Sequence, residues 1–269
     1  MEGSGLAARP SPPWQLSLRS NIGLVPCPPV LEGIGRLPGL ARARWRGEPF
    51  LRSLVALRSV APWWELPRLA WRFGRVQLGV PCPHSIEELG TVARAITART
   101  EVRGAVVECG CFKGGSTARL SLVCALAKRK LVVFDSFEGL PEPEPWDAEH
   151  RIGRLRQFRR GEYRGAIEEV RANLAAFGRI DVCELVPGWL GSVPHERVPD
   201  AIAVAFIDVD LVTSTAAALD LVWPRVAPGG IVFVHDAADA KLTGFLGEWA
   251  ATVHPRRTSG PAAFAWFEK

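Results

Sequence analysis

The stretch Val106-Val107-Glu108-Cys109-Gly110-Cys111-Phe112-Lys113-Gly114-Gly115-Ser116 constrains this chain more than any other. An apolar run ends in an acid, a glycine follows two positions later, and a glycine pair opens a helix. A parallel strand turns into a helix in this way while leaving room for a bound nucleoside. The glycines permit the tight turn and let a ligand approach the backbone. The turn alone is moderately specific. It gains weight from two later segments where an apolar run also ends in acid, Val132-Val133-Phe134-Asp135 and Ile207-Asp208-Val209-Asp210.

Around these segments strands and helices alternate. Ile86–Ala98 reads as a helix with Ser85 as its N-cap and Glu88 three residues on, a capping box. Strands are expected at 105–108, 131–135, 182–186, 201–208 and 231–234, and helices at 116–128, 166–177, 213–222 and 241–250. Gly178 stops one helix, and Pro228-Gly229-Gly230 turns the chain into a strand. Two short strands around Ser259-Gly260-Pro261 close the pattern as an antiparallel edge. Such alternation implies an α/β fold, a doubly wound, mostly parallel seven-stranded sheet with helices on both faces.

The boundary with the N-terminal part falls near Pro81 and Pro83. Residues 1–80 form a basic, Trp/Pro-rich, helical extension with 11 Arg and 4 Glu; residues 81–269 have 22 basic and 24 acidic side chains. Residues 1–30 are rich in Pro, Gly and Ser, which disfavours regular structure. Residues 38–77 carry Arg and Trp in a loosely helical pattern. Three readings stay open for them: a helical extension packing on the main domain or on a second subunit of a homo-oligomer, a lid, or a membrane-surface helix. The near-neutral charge of the rest argues against nucleic acid as a partner. No apolar run approaches the roughly 18 residues of a membrane span. With no secretory leader pattern and six scattered cysteines, a cytoplasmic protein with reduced thiols is expected.

Doubly wound sheets bind ligands beyond the carboxyl ends of their strands. Glu108, Gly110, Asp135, Gly188 and Asp208 fall at such ends. A carboxylate at 135 can accept hydrogen bonds from both ribose hydroxyls, or serve only as a turn residue. A nicotinamide enzyme is the obvious competitor. However, the turn has Phe112 where the second glycine of a pyrophosphate-binding loop belongs. An acid before the first glycine suits a ligand with a cationic amino-acid end, such as S-adenosylmethionine. Asp208 and Asp210 follow one buried strand, and His235 and Asp236 follow the next. Clustered carboxylates repel unless a cation sits among them. Mg²⁺ is the first candidate, with ordinary capping as the alternative.

Residues 106–116, Phe134-Asp135-Ser136-Phe137-Glu138-Gly139-Leu140-Pro141, Pro187-Gly188-Trp189, Ile207-Asp208-Val209-Asp210-Leu211 with Ser214-Thr215, and Pro228-Gly229-Gly230 through His235-Asp236 occur in order. Together they resemble the macrocin O-methyltransferase family (TylF/MycF type) over roughly residues 85–250. The resemblance implies a class I, Rossmann-like, S-adenosylmethionine-dependent O-methyltransferase that uses Mg²⁺ on sugar or phenolic hydroxyls of natural products. On that basis Glu108, Gly110, Phe112, Gly114, Gly115 and Ser116 form the turn that holds the methionine end. Asp135 and Ser136 hold the ribose, and Gly188 and Trp189 border the adenine. Asp208 touches cofactor, metal and acceptor. Asp208, His235 and Asp236 are the metal candidates, and Asp208 and His235 the candidate bases.

Two positions depart from the family. Residue 235 is His where the family usually has Asp, which puts the metal's identity in question because imidazole is softer than carboxylate. Residue 212 is Val where the family often has Tyr. A small-molecule hydroxyl acceptor is expected in a pocket built from residues 138–165, with Glu142, Glu144, Arg159, Arg160 and Tyr163 as plausible contacts. The competing readings are a metal-independent enzyme using His235 as base and a non-catalytic cofactor-binding scaffold.

Overall fold

The computed structural model describes residues 47–144, 147, 149–151, 154–259 and 264–269. Expectations for residues 1–46 lie outside them. Residues 45–269 form one compact unit. Its elements run α1 (Glu48–Ala56), α2 (Leu66–Gly79), α3 (Ile86–Ala98), β1 (Ala105–Cys109), α4 (Gly115–Leu126), β2 (Leu131–Asp135), β3 (Glu149–Arg151) and β4 (Arg154–Arg156). They continue α5 (Ile167–Phe177), β5 (Cys183–Pro187), β6 (Ile202–Ile207), α6 (Val212–Val222), β7 (Val226–His235), α7 (Ala240–Val253), β8 (Arg257–Ser259) and β9 (Phe264–Glu268). The main sheet has seven strands in the order β5-β2-β1-β6-β7-β9-β8, and β3 and β4 form a separate antiparallel pair.

β5, β2, β1, β6 and β7 run parallel, while β9 pairs antiparallel with both β7 and β8. The chain winds outward from β1 to β2 and β5, then restarts at β6 on the other side of β1. The switch point therefore lies between β1 and β6, where a crevice opens beyond the strand ends.

The central strands β1, β2 and β6 and the last half of β7 are largely apolar because both faces are covered. Val106, Leu131, Val133, Val204, Phe206, Ile231 and Phe233 share one buried cluster with residues of α1 to α5. The alternate residues Val107, Val132, Phe134, Ala205, Ile207, Val232 and Val234 point the other way and are equally buried. By the same alternation Glu108, Asp135, Asp208 and His235 belong to the face that carries α1 to α5. α1 and α2 thus contribute Ala56, Leu57, Phe73 and Val76 to the core of the sheet, across the boundary expected near residue 81. Their outer surface leaves Trp63, Trp64 and Trp71 exposed.

Ser85 caps α3 as expected: its hydroxyl accepts from the Glu88 amide, and Glu88 accepts from the Ser85 amide in return. One expectation needs correction. Pro228-Gly229-Gly230 does not precede the strand but lies inside β7, where the register against β6 jumps between Ile202 and Val204. Proline removes one ladder donor and the glycines take up the extra length, so pairing resumes at Ile231.

Candidate active site

A cavity of about 660 Å³ opens at the switch point, within the range of small-molecule sites. Gly110, Asp135, Gly188 and Asp208, from the ends of β1, β2, β5 and β6, line it together with Phe112, Ser136, Trp189, His235 and Asp236. Gly110 is required there. It has φ +83°, and a Cβ on it would lie 1.9 Å from the Asp208 carbonyl oxygen. Only a bare backbone lets the β1 and β6 loops approach so closely.

Four predicted residues are placed elsewhere. Gly114 and Gly115 start α4, and Gly115 packs against Pro81 and Cys82. Ser116 is buried, and Glu108 is fully buried in the same layer. None of the four lines the cavity itself. Gly114, Gly115 and Ser116 form the cap and first turn of α4. Both Glu108 carboxylate oxygens, and Thr117 Oγ1 beside them, lack an aligned hydrogen-bond partner. Burial pushes the Glu108 carboxyl up to about 7, against the opposing pull of Ser116 and Thr117.

Asp135 serves two roles. Its carboxylate accepts from the Cys111 amide at 2.6 Å and the Phe137 amide at 2.7 Å, so it fastens the turns after β1 and β2. A carboxylate has about four acceptor sites, which leaves lone pairs for ribose hydroxyls. The Ser136 hydroxyl is engaged within its own turn, donating to the Gly139 carbonyl and accepting from the Glu138 amide. The following loop contributes Gly139, Leu140, Pro141 and Tyr163 to the wall, whereas Glu142, Glu144, Arg159 and Arg160 do not line it. No described residue before Pro81 lines the cavity either.

At the other end of the cavity the expected acidic cluster is a mixed one. His235 Nδ1 lies 3.1 Å from Asp208 Oδ1 and 3.2 Å from Asp236 Oδ1, between the two acids. His84 Nε2 lies 3.0 Å from the second Asp208 oxygen. The rings of His84 and His235 meet edge to face at 4.6 Å, over Phe206 and Phe264. His84 is 2% exposed. Burial disfavours charge on both imidazoles, but the Asp208 carboxylate outweighs it, lifting His84 to about 10 and His235 to about 9. Burial likewise opposes ionisation of Asp208, yet His235 and His84 hold it well below the usual carboxylate range.

This arrangement does not suit Mg²⁺. A hard ion between Asp208 and Asp236 would need oxygen donors in a near-octahedral shell. The space between those acids is instead filled by the His235 ring nitrogen. The cluster whose donor atoms do converge, within 4.8 Å of one another, is His84, Asp208 and His235.

Sequence reasoning missed three residues that shape the site. His84 carried no pattern of its own, only its place before the Ser85 cap. Arg119 is fully buried in α4 and bonds the Phe73 carbonyl, Gln77 and Cys82, tying α2 and the 81–84 linker to α4. Asp147 is buried and accepts from the Val212 amide, the Thr213 hydroxyl and the Glu144 amide. It thereby caps α6 from a distant loop. Cys109, Cys111 and Cys124 are free but buried, and burial pushes each thiol well above its ordinary value, which disfavours the reactive thiolate.

Residues 83–247 match the sequence model of the macrocin-O-methyltransferase (TylF) family. Among characterised proteins, the chain is 34% identical over 145 residues to 8-demethyl-8-(2,3-dimethoxy-alpha-L-rhamnosyl)-tetracenomycin-C 4'-O-methyltransferase of Streptomyces olivaceus, covering 51% of this chain and 54% of that protein. It is 29% identical over 141 residues to demethyldecarbamoylnovobiocin O-methyltransferase of Streptomyces niveus, covering 50% and 53%. The match thus spans about half the length of these relatives. Among solved structures, the O-methyltransferase NovP superposes with a TM-score of 0.59 at 23% identity, over 69% of this chain and 80% of that one. The calicheamicin methyltransferase CalS11 does so with 0.56 at 20% identity, over 82% and 91%. These two likenesses establish the fold.

Proposed function

The chain belongs to the macrocin-O-methyltransferase family, and from that premise we propose that it transfers a methyl group from S-adenosylmethionine to a hydroxyl of a small molecule, a sugar unit of a natural product being the favoured class. The observation that carries this reading is the continuity of one cavity. Asp135, Gly188 and Trp189 line it together with Asp208 and His235, so a nucleoside held by the first three would share one space with the last two. One characterised relative is named as an O-methyltransferase of a rhamnosyl-tetracenomycin and the other as an O-methyltransferase of demethyldecarbamoylnovobiocin.

Methyl transfer is an in-line displacement, and the protein's main task is alignment. Asp135 accepts from the ribose through its free lone pairs, with Trp189 beside the adenine. The bare backbone at Gly110 admits the methionine end. Asp208 accepts a hydrogen bond from the acceptor hydroxyl and so points an oxygen lone pair at the methyl carbon. Its two imidazole neighbours keep it ionised and fixed. As the C–O bond forms, the acceptor becomes a protonated ether, a strong acid. Even a carboxylate held below its ordinary range takes that proton. The Phe206 and Phe264 rings pack against His84 and His235 and hold the two imidazoles in place. No step runs through Mg²⁺.

Asp208→Asn tests the assignment. Turnover is expected to fall at least ~100-fold, the usual loss on removing a base, while S-adenosylhomocysteine still binds in calorimetry. A variant that keeps its turnover and loses the cofactor would refute it.

A further inference from the structure

We propose that His84 Nε2, the Asp208 carboxylate and His235 Nδ1 form a binding site for a divalent first-row transition ion of the Zn²⁺, Co²⁺ or Fe²⁺ kind, selective against Mg²⁺. The spacing is the first argument. His84 Nε2 and His235 Nδ1 lie 3.0 and 3.1 Å from the two oxygens of Asp208. Adjacent donors on one ion at about 2.1 Å are separated by about 3.0 Å at an octahedral angle and about 3.4 Å at a tetrahedral one.

Alignment is the second argument. These are hydrogen-bond distances, yet neither His84 Nε2 nor His235 Nδ1 has an aligned partner, and both atoms are buried. The nitrogens flank Asp208 without pointing their N–H bonds at it. A buried imidazole with an orphaned nitrogen is costly unless something else takes that nitrogen. An ion sharing the carboxylate would satisfy both rings at once.

The third argument is what lies behind the rings. A ligating imidazole normally engages a second group through its other nitrogen, which fixes its orientation. His84 Nδ1 lies 3.6 Å from Cys82 Sγ, itself in contact with the buried Arg119. His235 Nε2 faces Glu88 Oε1 at 4.0 Å, and that carboxylate is held by the capping box of α3. Two nitrogens and one carboxylate suit a borderline ion, whereas Mg²⁺ asks for oxygen. When bound, such an ion supplies Lewis acidity at the acceptor hydroxyl. Only that role rests on the methyltransferase reading; the binding does not.

The test is titration of metal-stripped protein with Co²⁺, Zn²⁺ and Mg²⁺, followed by calorimetry and by the visible absorption of Co²⁺. One equivalent of Zn²⁺ or Co²⁺ is expected to bind at least ~100-fold more tightly than Mg²⁺. His84→Gln should weaken Co²⁺ at least ~10-fold and alter its spectrum, while S-adenosylhomocysteine affinity stays within about threefold. Mg²⁺ binding as tightly as Zn²⁺, or Co²⁺ binding untouched by the substitution, overturns the proposal. Should His84→Gln fail to bind S-adenosylhomocysteine, the same titration of His235→Gln decides by the same criteria. Wild-type protein that binds Co²⁺ as described but transfers no methyl group refutes the proposed reaction and leaves the metal site standing.

Discussion

Glu108→Gln is expected to stabilise the protein above neutral pH. The carboxyl sits fully buried on the core face of β1 without an aligned partner. Burial raises it from 4.5 to about 7. Below about 4.5 the group is neutral in both folded and unfolded chains and costs nothing. As pH rises from there to about 7, the unfolded chain gives up a proton that the folded one keeps, so stability falls. Above 7 the full penalty is present, about 3 kcal/mol at about 1.4 kcal/mol per pH unit. Glutamine keeps the shape and removes the charge. Its amide remains a buried polar group, so we expect a gain of about 2 kcal/mol at pH 8 rather than the whole penalty. That gain raises Tm by roughly 4–8 °C for a domain of this size. At pH 5 the gain shrinks below about 1 kcal/mol. Thermal unfolding of both proteins at the two pH values, in EDTA and without cofactor, measures the difference. A variant that is less stable at pH 8, or shifted equally at both pH values, refutes the reasoning.

Gly110→Ala should cost at least ~3 kcal/mol, because its φ is +83° and the new Cβ would collide with the Asp208 carbonyl; soluble yield and the urea midpoint report it. Asp147→Ala should cost about 1–2 kcal/mol, as loss of a helix cap does. Because it frees the loop beside α6, KM for the acceptor should rise more than Kd for S-adenosylhomocysteine. Ser85→Ala should cost about 1 kcal/mol by urea unfolding, while the Ser85 backbone amide still holds the Glu88 carboxylate.

The fold could be read from the chain because its signals are local. Apolar runs such as 202–207 are buried on both faces, Ser85 and Glu88 make their capping box, and Gly178 ends α5. The strand-end wall of the cavity was legible too, since Gly110, Asp135 and Gly188 sit at strand ends whose position follows from the strand–turn–helix order. The cluster around Asp208 was less so. His84 reaches Asp208 across more than a hundred positions of sequence, and nothing local marks that meeting. Glu108 and the glycines after it showed the turn but not which side of it would face solvent. Asp147 caps α6 through a tertiary contact that no spacing rule anticipates.

Histidine at position 235 changes the charge balance of the site as well as the donor type. Three carboxylates at a strand end repel one another, and a hard dication among them is held mainly by charge. An ion so held carries a reversed net charge and polarises a hydroxyl weakly. With His84 and His235 as neutral ligands and Asp208 the one anion, a dication keeps net positive charge and polarises it more. The exchange requires more than one substitution, however. A second imidazole has to arrive from the 81–84 linker, and that linker is placed by Arg119, which joins the Phe73 carbonyl, Gln77 and Cys82. The buried arginine of α4 is therefore the residue on which the geometry of His84 depends, and a change there should disturb ion affinity before it disturbs the cofactor end of the cavity.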